Sequence, residues 1–195
     1  MTWRRLVQLY AALVVYGFST ALRLRAGLGL EPWAVFHQGL AHRLGVSFGT
    51  ASIITGLGVL GLWVPLRERP GIGTLSNIFI IGLSADASLG ILPAPNGLLL
   101  RWSLVIAGTL LTGIASGAYI GAGLGAGPRD GVMTALARRT PWPIKRIRTG
   151  IELTALAFGW LLGGTVGLAT IFYAVTIGPV IHYTMPILEI ADGTV

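Results

Sequence analysis

Cysteine is absent from this 195-residue chain, which excludes disulfides, thiolate metal sites and cysteine nucleophiles. Charge is scarce as well. Only 11% of residues are Asp, Glu, Lys or Arg, against about 25% in a soluble domain, so the chain lacks the polar surface to coat a globule. Acids number seven and are scattered through different segments, so no carboxylate pair suggests general acid–base work. The three histidines, His37, His42 and His182, make neither HxxxH nor HExxH spacing, and no GxSxG elbow occurs. His37 and His42 stand five apart, a poor spacing for sharing one helix face. The expectation is no enzyme, no cofactor and no metal.

What is present is apolar. Hydrophobic residues make up 53% of the chain and mean hydropathy is +0.76. Residues 6–22, 44–66, 70–85, 102–128 and 153–188 carry no charged side chain. A membrane-crossing helix needs about 20 mostly apolar residues, so these runs define a polytopic membrane protein whose first partner is the lipid bilayer. The net charge of +7 does not imply nucleic acid, because no basic stripe alternates with stacking aromatics. Its basic residues lie in short connections, where they orient spans by the positive-inside rule. The opening MTWRR and the apolar run behind it resemble a signal peptide. No Ala-x-Ala-like site follows, and Arg23 and Arg25 come instead, so a retained first span is expected.

A shift of 96 positions lays 27-GLGLEPWAVFHQGLAH-42 over 123-GLGAGPRDGVMTALAR-138. Gly27, Leu28, Gly29, Pro32, Leu40 and Ala41 then match Gly123, Leu124, Gly125, Pro128, Leu136 and Ala137. The same register pairs Gly17 with Gly113, Gly71 with Gly167, Thr74 with Thr170 and Gly82 with Gly178. The chain reads as one membrane domain over 1–195 with internal repeats at about 5–93 and 101–189. Each repeat holds a span, a glycine-rich turn, a short helix and two more spans. The spans fall at about 5–25, 48–66 and 71–92, then 102–122, 149–164 and 167–188. The short helices, about 32–44 and 128–139, reach only about 20 Å, less than the roughly 30 Å hydrocarbon core. They are expected to lie at the interface or to re-enter.

Three spans per repeat set the repeats in opposite orientations. With the N-terminus inside, ten basic residues fall on inner segments and four, Arg23, Arg25, Arg43 and Arg101, on outer ones. Eight spans with parallel repeats would give about nine against five, a poorer asymmetry. The expected fold is therefore all-α, with six transmembrane helices as two inverted repeats of three spans, each with a short re-entrant or interfacial helix. Both termini would be cytoplasmic. Gly113, Gly117, Gly121 and Gly125 recur every four residues, a small-residue seam that packs helices closely within the chain or across a homodimer.

The candidate site follows from the turns. Pro32 and Pro128 suit the first turn of each short helix, where a missing N–H costs nothing. Helix N-termini carry free N–H groups and partial positive charge, and paired ones facing a midplane site are a device of secondary transporters. The glycines serve equally to break spans and lay the short helices on the interface. A dinucleotide or phosphate loop is excluded, because no strand precedes GLGAGPRDG and no Gly-Lys-Ser/Thr ends it. Glu31 and Trp33 in one copy, and Arg129 and Asp130 in the other, form the candidate rim. Trp33 also suits an interfacial aromatic belt. Arg129 beside Asp130 equally suits an inside-positive charge next to a dipole-favoured acid. Thr74, Asn77, Thr170 and Tyr173 hold polar positions near the starts of the third and sixth spans, to line a cavity or to bond between helices. Asp86 and His182 are register-equivalent and make a candidate coupling relay, or else sit near span ends facing water. Glu152 is expected to pair with Arg148 at an interface.

The stretches LGLEPWAVFHQGL, RPGIGTLSNIFIIG and GLGAGPRDGVM together resemble the YczE/YitT-like group of bacterial membrane proteins, over nearly the whole chain. The resemblance implies a polytopic protein of the bacterial inner membrane and adds no defined activity. The reading that follows is a small permease for a small anionic or zwitterionic solute, held between the repeats by Glu31, Pro32, Trp33, Pro128, Arg129 and Asp130. Its competitor is a non-transporting accessory or scaffold protein that modulates a biosynthetic or export partner. A permease requires a polar cavity between the repeats, an accessory protein a dry, glycine-packed interior.

Overall fold

The computed structural model describes residues 2–190 as eight helices joined by short connections. They are α1 (Trp3–Ala26), α2 (Pro32–Leu44), α3 (Phe48–Gly61), α4 (Ile72–Ile91), α5 (Leu98–Gly121), α6 (Pro128–Arg139), α7 (Ile144–Leu161) and α8 (Leu168–Leu188). Local chemistry sets many of the ends. Gly27 and Gly45 close α1 and α2 in the left-handed conformation, with φ of 60° and 65°, a region that glycine enters without steric cost. Pro32 and Pro128 open α2 and α6. The Ser47 side chain caps α3 by accepting the Thr50 N–H at 3.1 Å. Thr74 and Thr170 each accept the N–H of a glycine three residues back, Gly71 and Gly167, at 3.2 Å.

Four helices, α1, α4, α5 and α8, are long and apolar enough to cross a bilayer, and a fifth span results if the bent α2–α3 pair is counted as one. The short helices occupy the expected ranges, and α2 meets α3 at 110°. Two expected spans differ. The segment predicted over 48–66 stops being helical at Gly61 and turns through 62–67, where Arg67 has φ 50°. Its 14 helical residues extend only about 21 Å. The span predicted from 149 begins at Ile144, because Pro143 provides its N-cap, and Lys145, Arg146, Arg148 and Glu152 enter the helix and keep its hydropathy low.

Helix directions follow from contacts along each pair. Gln8 donates to the Ala118 carbonyl at 2.9 Å, Ser19 meets Thr112 at 2.7 Å, and Arg101 donates to the Gly27 carbonyl at 2.9 Å, so α1 and α5 run antiparallel. Ser76 meets the Tyr10 hydroxyl at 3.5 Å, Ser84 donates to the Val14 carbonyl at 2.8 Å, and Arg25 reaches the Leu89 carbonyl, so α1 and α4 run parallel. Gly113, Gly117 and Gly121 lie against Val180, Thr184 and Leu188, so α5 and α8 are parallel too. The glycine seam is thus filled by α8 of the same chain. Gly17 makes the corresponding approach to Ile81, Ser84 and Ala85 of α4.

The glycine-rich turns clasp each other's halves. The Leu28 carbonyl accepts the Ala169 N–H at 3.1 Å, and the Leu124 carbonyl, 96 residues further on, accepts the Gly73 N–H at 2.8 Å. Gly29 (φ 116°) lies against Gly167 and Thr170 of α8, and Gly125 (φ 125°) against Gly71 and Thr74 of α4. No side chain fits at either place. A buried cluster of Leu9, Leu13, Tyr16, Ile81, Ala115 and Tyr119 packs α1, α4 and α5 together. Elsewhere Gly159 presses on the backbone of Val35 and Phe36, and Gly131 on the Trp63 ring. Gly159→Ala should therefore cost about 1–3 kcal/mol by overpacking. Gly150→Ala, at a position with open space around it, should be neutral or gain up to about 1 kcal/mol of helix propensity. Thermal unfolding of the two variants in detergent checks the pair.

Candidate functional site

The starts of α2 and α6 converge on a cavity of about 350 Å³ between the halves. Tyr16 of α1, Asn77 of α4, Ser116 and Tyr119 of α5 and Tyr173 of α8 enclose it with Glu31, Pro32, Trp33, Arg129 and Asp130. Arg148, exposed, and Glu152, half-buried, reach it from α7 and form the expected ion pair at 2.9 Å. A smaller space of about 50 Å³ lies beside it, shared by Tyr16, Glu31, Trp33, Asn77, Pro128 and Arg129.

One wall is a buried ionic cluster. Arg23 is 1% exposed and Glu31 5%, and they pair at 2.8 Å. Arg23 also donates to the Gly108 carbonyl at 3.1 Å, to Thr20 at 3.3 Å and to the Thr112 hydroxyl, and its guanidinium lies 5.0 Å from the centre of the Tyr173 ring. Among the described residues Glu31 Oε2 has no hydrogen-bond partner, and neither has Arg23 Nε. Such a half-satisfied charge is expensive in low dielectric. The carboxylate therefore sits at the cavity with one oxygen held and one unclaimed.

Across the cavity, Arg129 stacks on the Trp33 ring at 5.3 Å and reaches the Tyr16 hydroxyl only at 3.5 Å. Positions 33 and 129 are counterparts in the repeat register, as are Asn77 and Tyr173. Asp130 accepts the Tyr119 hydroxyl at 2.8 Å. Arg129 thus makes no ion pair within the 4.0 Å limit among the described residues. Of the two cations that line the cavity, Arg129 and Arg148, it is the one without an ion-pair partner among the described residues.

The other candidate residues are placed elsewhere. Pro128 opens α6, and its carbonyl accepts the Trp63 indole N–H at 2.9 Å. Thr74 and Thr170 cap α4 and α8, and Thr74 also donates to the Ala126 carbonyl at 2.7 Å. Asp86 accepts the Gly49 N–H at 2.7 Å and the Ser47 hydroxyl, which makes it an anchor for the start of α3. His182 is exposed beside Tyr183. Neither Asp86 nor His182 lines the cavity, and the structure does not bring them together. Tyr16, Ser116, Tyr119 and Arg23 are site residues that the sequence reading passed over. Arg23 was counted among outer loop charges, whereas it is buried in the last turn of α1. Its signal was present: Tyr16, Ser19, Thr20 and Arg23 stand at i, i+3, i+4 and i+7, one polar stripe on an apolar helix.

Apolar helices of spanning length around a buried polar core define an all-helical membrane protein. The chain belongs to the family of unknown function DUF6198, whose model matches residues 3–186. It is 36% identical over 182 residues to the uncharacterized membrane protein YczE of Bacillus subtilis, covering 91% of this chain and 83% of that one. It is 37% identical over 177 residues to an uncharacterized protein of Haemophilus influenzae, covering 91% and 81%. A more distant relative, the uncharacterized protein YyaS of Bacillus subtilis, is 23% identical over 181 residues. No solved structure matches. The chain is a YczE-like membrane protein.

Removing one partner of a buried ion pair strands the other, at about 3–5 kcal/mol, whereas replacing both by apolar groups is often neutral. Arg23→Met should therefore lower unfolding stability by that amount. The double variant Arg23→Met/Glu31→Leu should recover most of the loss, as read by thermal unfolding in detergent.

Proposed function

We propose that this protein is a small inner-membrane permease whose polar cavity carries a small anionic or zwitterionic solute. The observation that carries the reading is the cavity itself. Its 350 Å³ lies within the range of small-molecule sites, about 300–1,000 Å³. Both short-helix starts face it, and it offers an unpaired cation, Arg129, and a buried carboxylate, Glu31, with a free oxygen. A dry structural interior would not need these charges, which cost free energy to bury.

The topology proposed is six crossings in two inverted halves. Parallel α1 and α4 need a returning crossing between them, which the bent α2–α3 pair would supply, and α7 would supply it between α5 and α8. The antiparallel run of α1 against α5 supports inversion. The excess of basic residues on the side of the α6–α7 connection supports cytoplasmic termini. In this arrangement the cavity opens towards Arg148 and Glu152 on the inner side. The Arg23–Glu31 cluster closes it towards the outer side, an inward-facing state of an alternating-access cycle.

Reconstituted vesicles loaded with buffer alone test the reading. Uptake of a panel of labelled small anions and zwitterions should exceed that of empty vesicles for at least one solute. Arg129→Ala should lower that flux about tenfold or more, the loss of one charge-assisted contact. Flux equal to that of empty vesicles across the panel would overturn transport.

A further inference from the structure

A second cavity, on the outside of the helix bundle, is a groove of about 770 Å³ between the α2–α3 pair and the α6–α7 pair. Phe36, Val59, Leu62, Leu136, Ile151 and Phe158 give its walls their apolar character. Trp33 forms part of its inner wall and so separates it from the polar cavity. Along α7 the groove runs from Arg146 to Phe158, about 18 Å at helical rise. That is close to the depth of one leaflet, about half of the roughly 30 Å hydrocarbon core. It is the right length for one acyl chain lying along the helix.

The end near Arg146 is basic. Arg138 and Arg139 are occupied by Glu68, and Arg148 by Glu152. Arg146 lines this end of the groove, is exposed and has no ion-pair or hydrogen-bond partner for its side chain among the described residues, whereas its neighbour Lys145 turns to a separate small space beside Asp130 and Arg148. Arg146 stands in the first turn of α7, behind the Pro143 N-cap, where the helix dipole favours an anion. Trp142, also exposed, lines the same end, as a tryptophan at headgroup depth does.

We propose that this groove binds one anionic phospholipid of the adjoining leaflet, with an acyl chain along α7 and its phosphate at Arg146. Charge complementarity selects the occupant. A zwitterionic lipid would gain the same burial but not the net attraction of the unpaired Arg146, and a free phosphate would gain no burial in the groove. The groove is a separate cavity from the proposed solute site, with Trp33 as the wall between them.

The test uses the full chain in detergent, stripped of lipid, with dioleoylphosphatidylglycerol or dioleoylphosphatidylcholine added and thermal unfolding followed. Phosphatidylglycerol should bind roughly fivefold more tightly, the ratio expected from one basic side chain at a membrane surface. Native mass spectrometry should count one retained lipid. Arg146→Gln should bring the two lipids to equal affinity, and soluble glycerol phosphate should give no shift. Gly150→Leu, placed on the groove wall in open space, should weaken both lipids alike, and Thr154→Leu repeats that arm where the first variant is unstable. Equal affinity for the two lipids in the wild type, or a preference that survives Arg146→Gln, would overturn the proposal.

Discussion

The reciprocal clasp of the two glycine-rich turns is the contact on which the remaining architecture depends. In lipid a backbone carbonyl without a donor costs several kcal/mol, and each turn leaves carbonyls exposed where its helix ends. Leu28 and Leu124 satisfy theirs with N–H groups at the start of the other half's last helix. That start is itself short of carbonyl partners. One hydrogen bond therefore settles a deficit on each side. Because it can form only where Gly29 and Gly125 leave no side chain between the backbones, it also sets where α2 and α6 begin. The two clasps lie at opposite ends of the antiparallel α1 and α5, and the cavity lies between them.

Much of the fold was legible because its punctuation is local. Pro32 and Pro128 open helices and Gly27 and Gly45 close them through φ preferences that need no tertiary context. The range of α2 and the start of α6 follow from those residues alone. The expected span over 48–66 ran on past Gly61 because Leu62, Val64 and Leu66 are as apolar as a helix would be. Hydropathy does not distinguish a turn from a span when both are uncharged.

The site was less legible, for a different reason. Arg23 looks like a loop charge until Thr112 and Gly108, far along the chain, are placed against it by the antiparallel packing of α5. Asp86 looks like an intramembrane acid until the start of α3 is brought onto its carboxylate. The rim residues Glu31, Trp33, Arg129 and Asp130 did meet at one cavity, since helix starts that differ between copies carry their own signal. Residue type and spacing locate a polar group along a helix. What the group faces is a property of the neighbouring helix.

The meeting of Trp33 with Arg129 has a consequence for how such a molecule can be assembled. The two positions correspond under the 96-residue shift, so under the two-fold relation proposed for the halves they would lie where a residue meets its own counterpart. Were the halves identical and separate, tryptophan would have to face tryptophan there, or arginine face arginine, and the second arrangement is repulsive. A cation resting on an aromatic face requires the counterparts to differ. A chain that carries both halves in one polypeptide can hold such a complementary pair, which two identical copies of one half cannot.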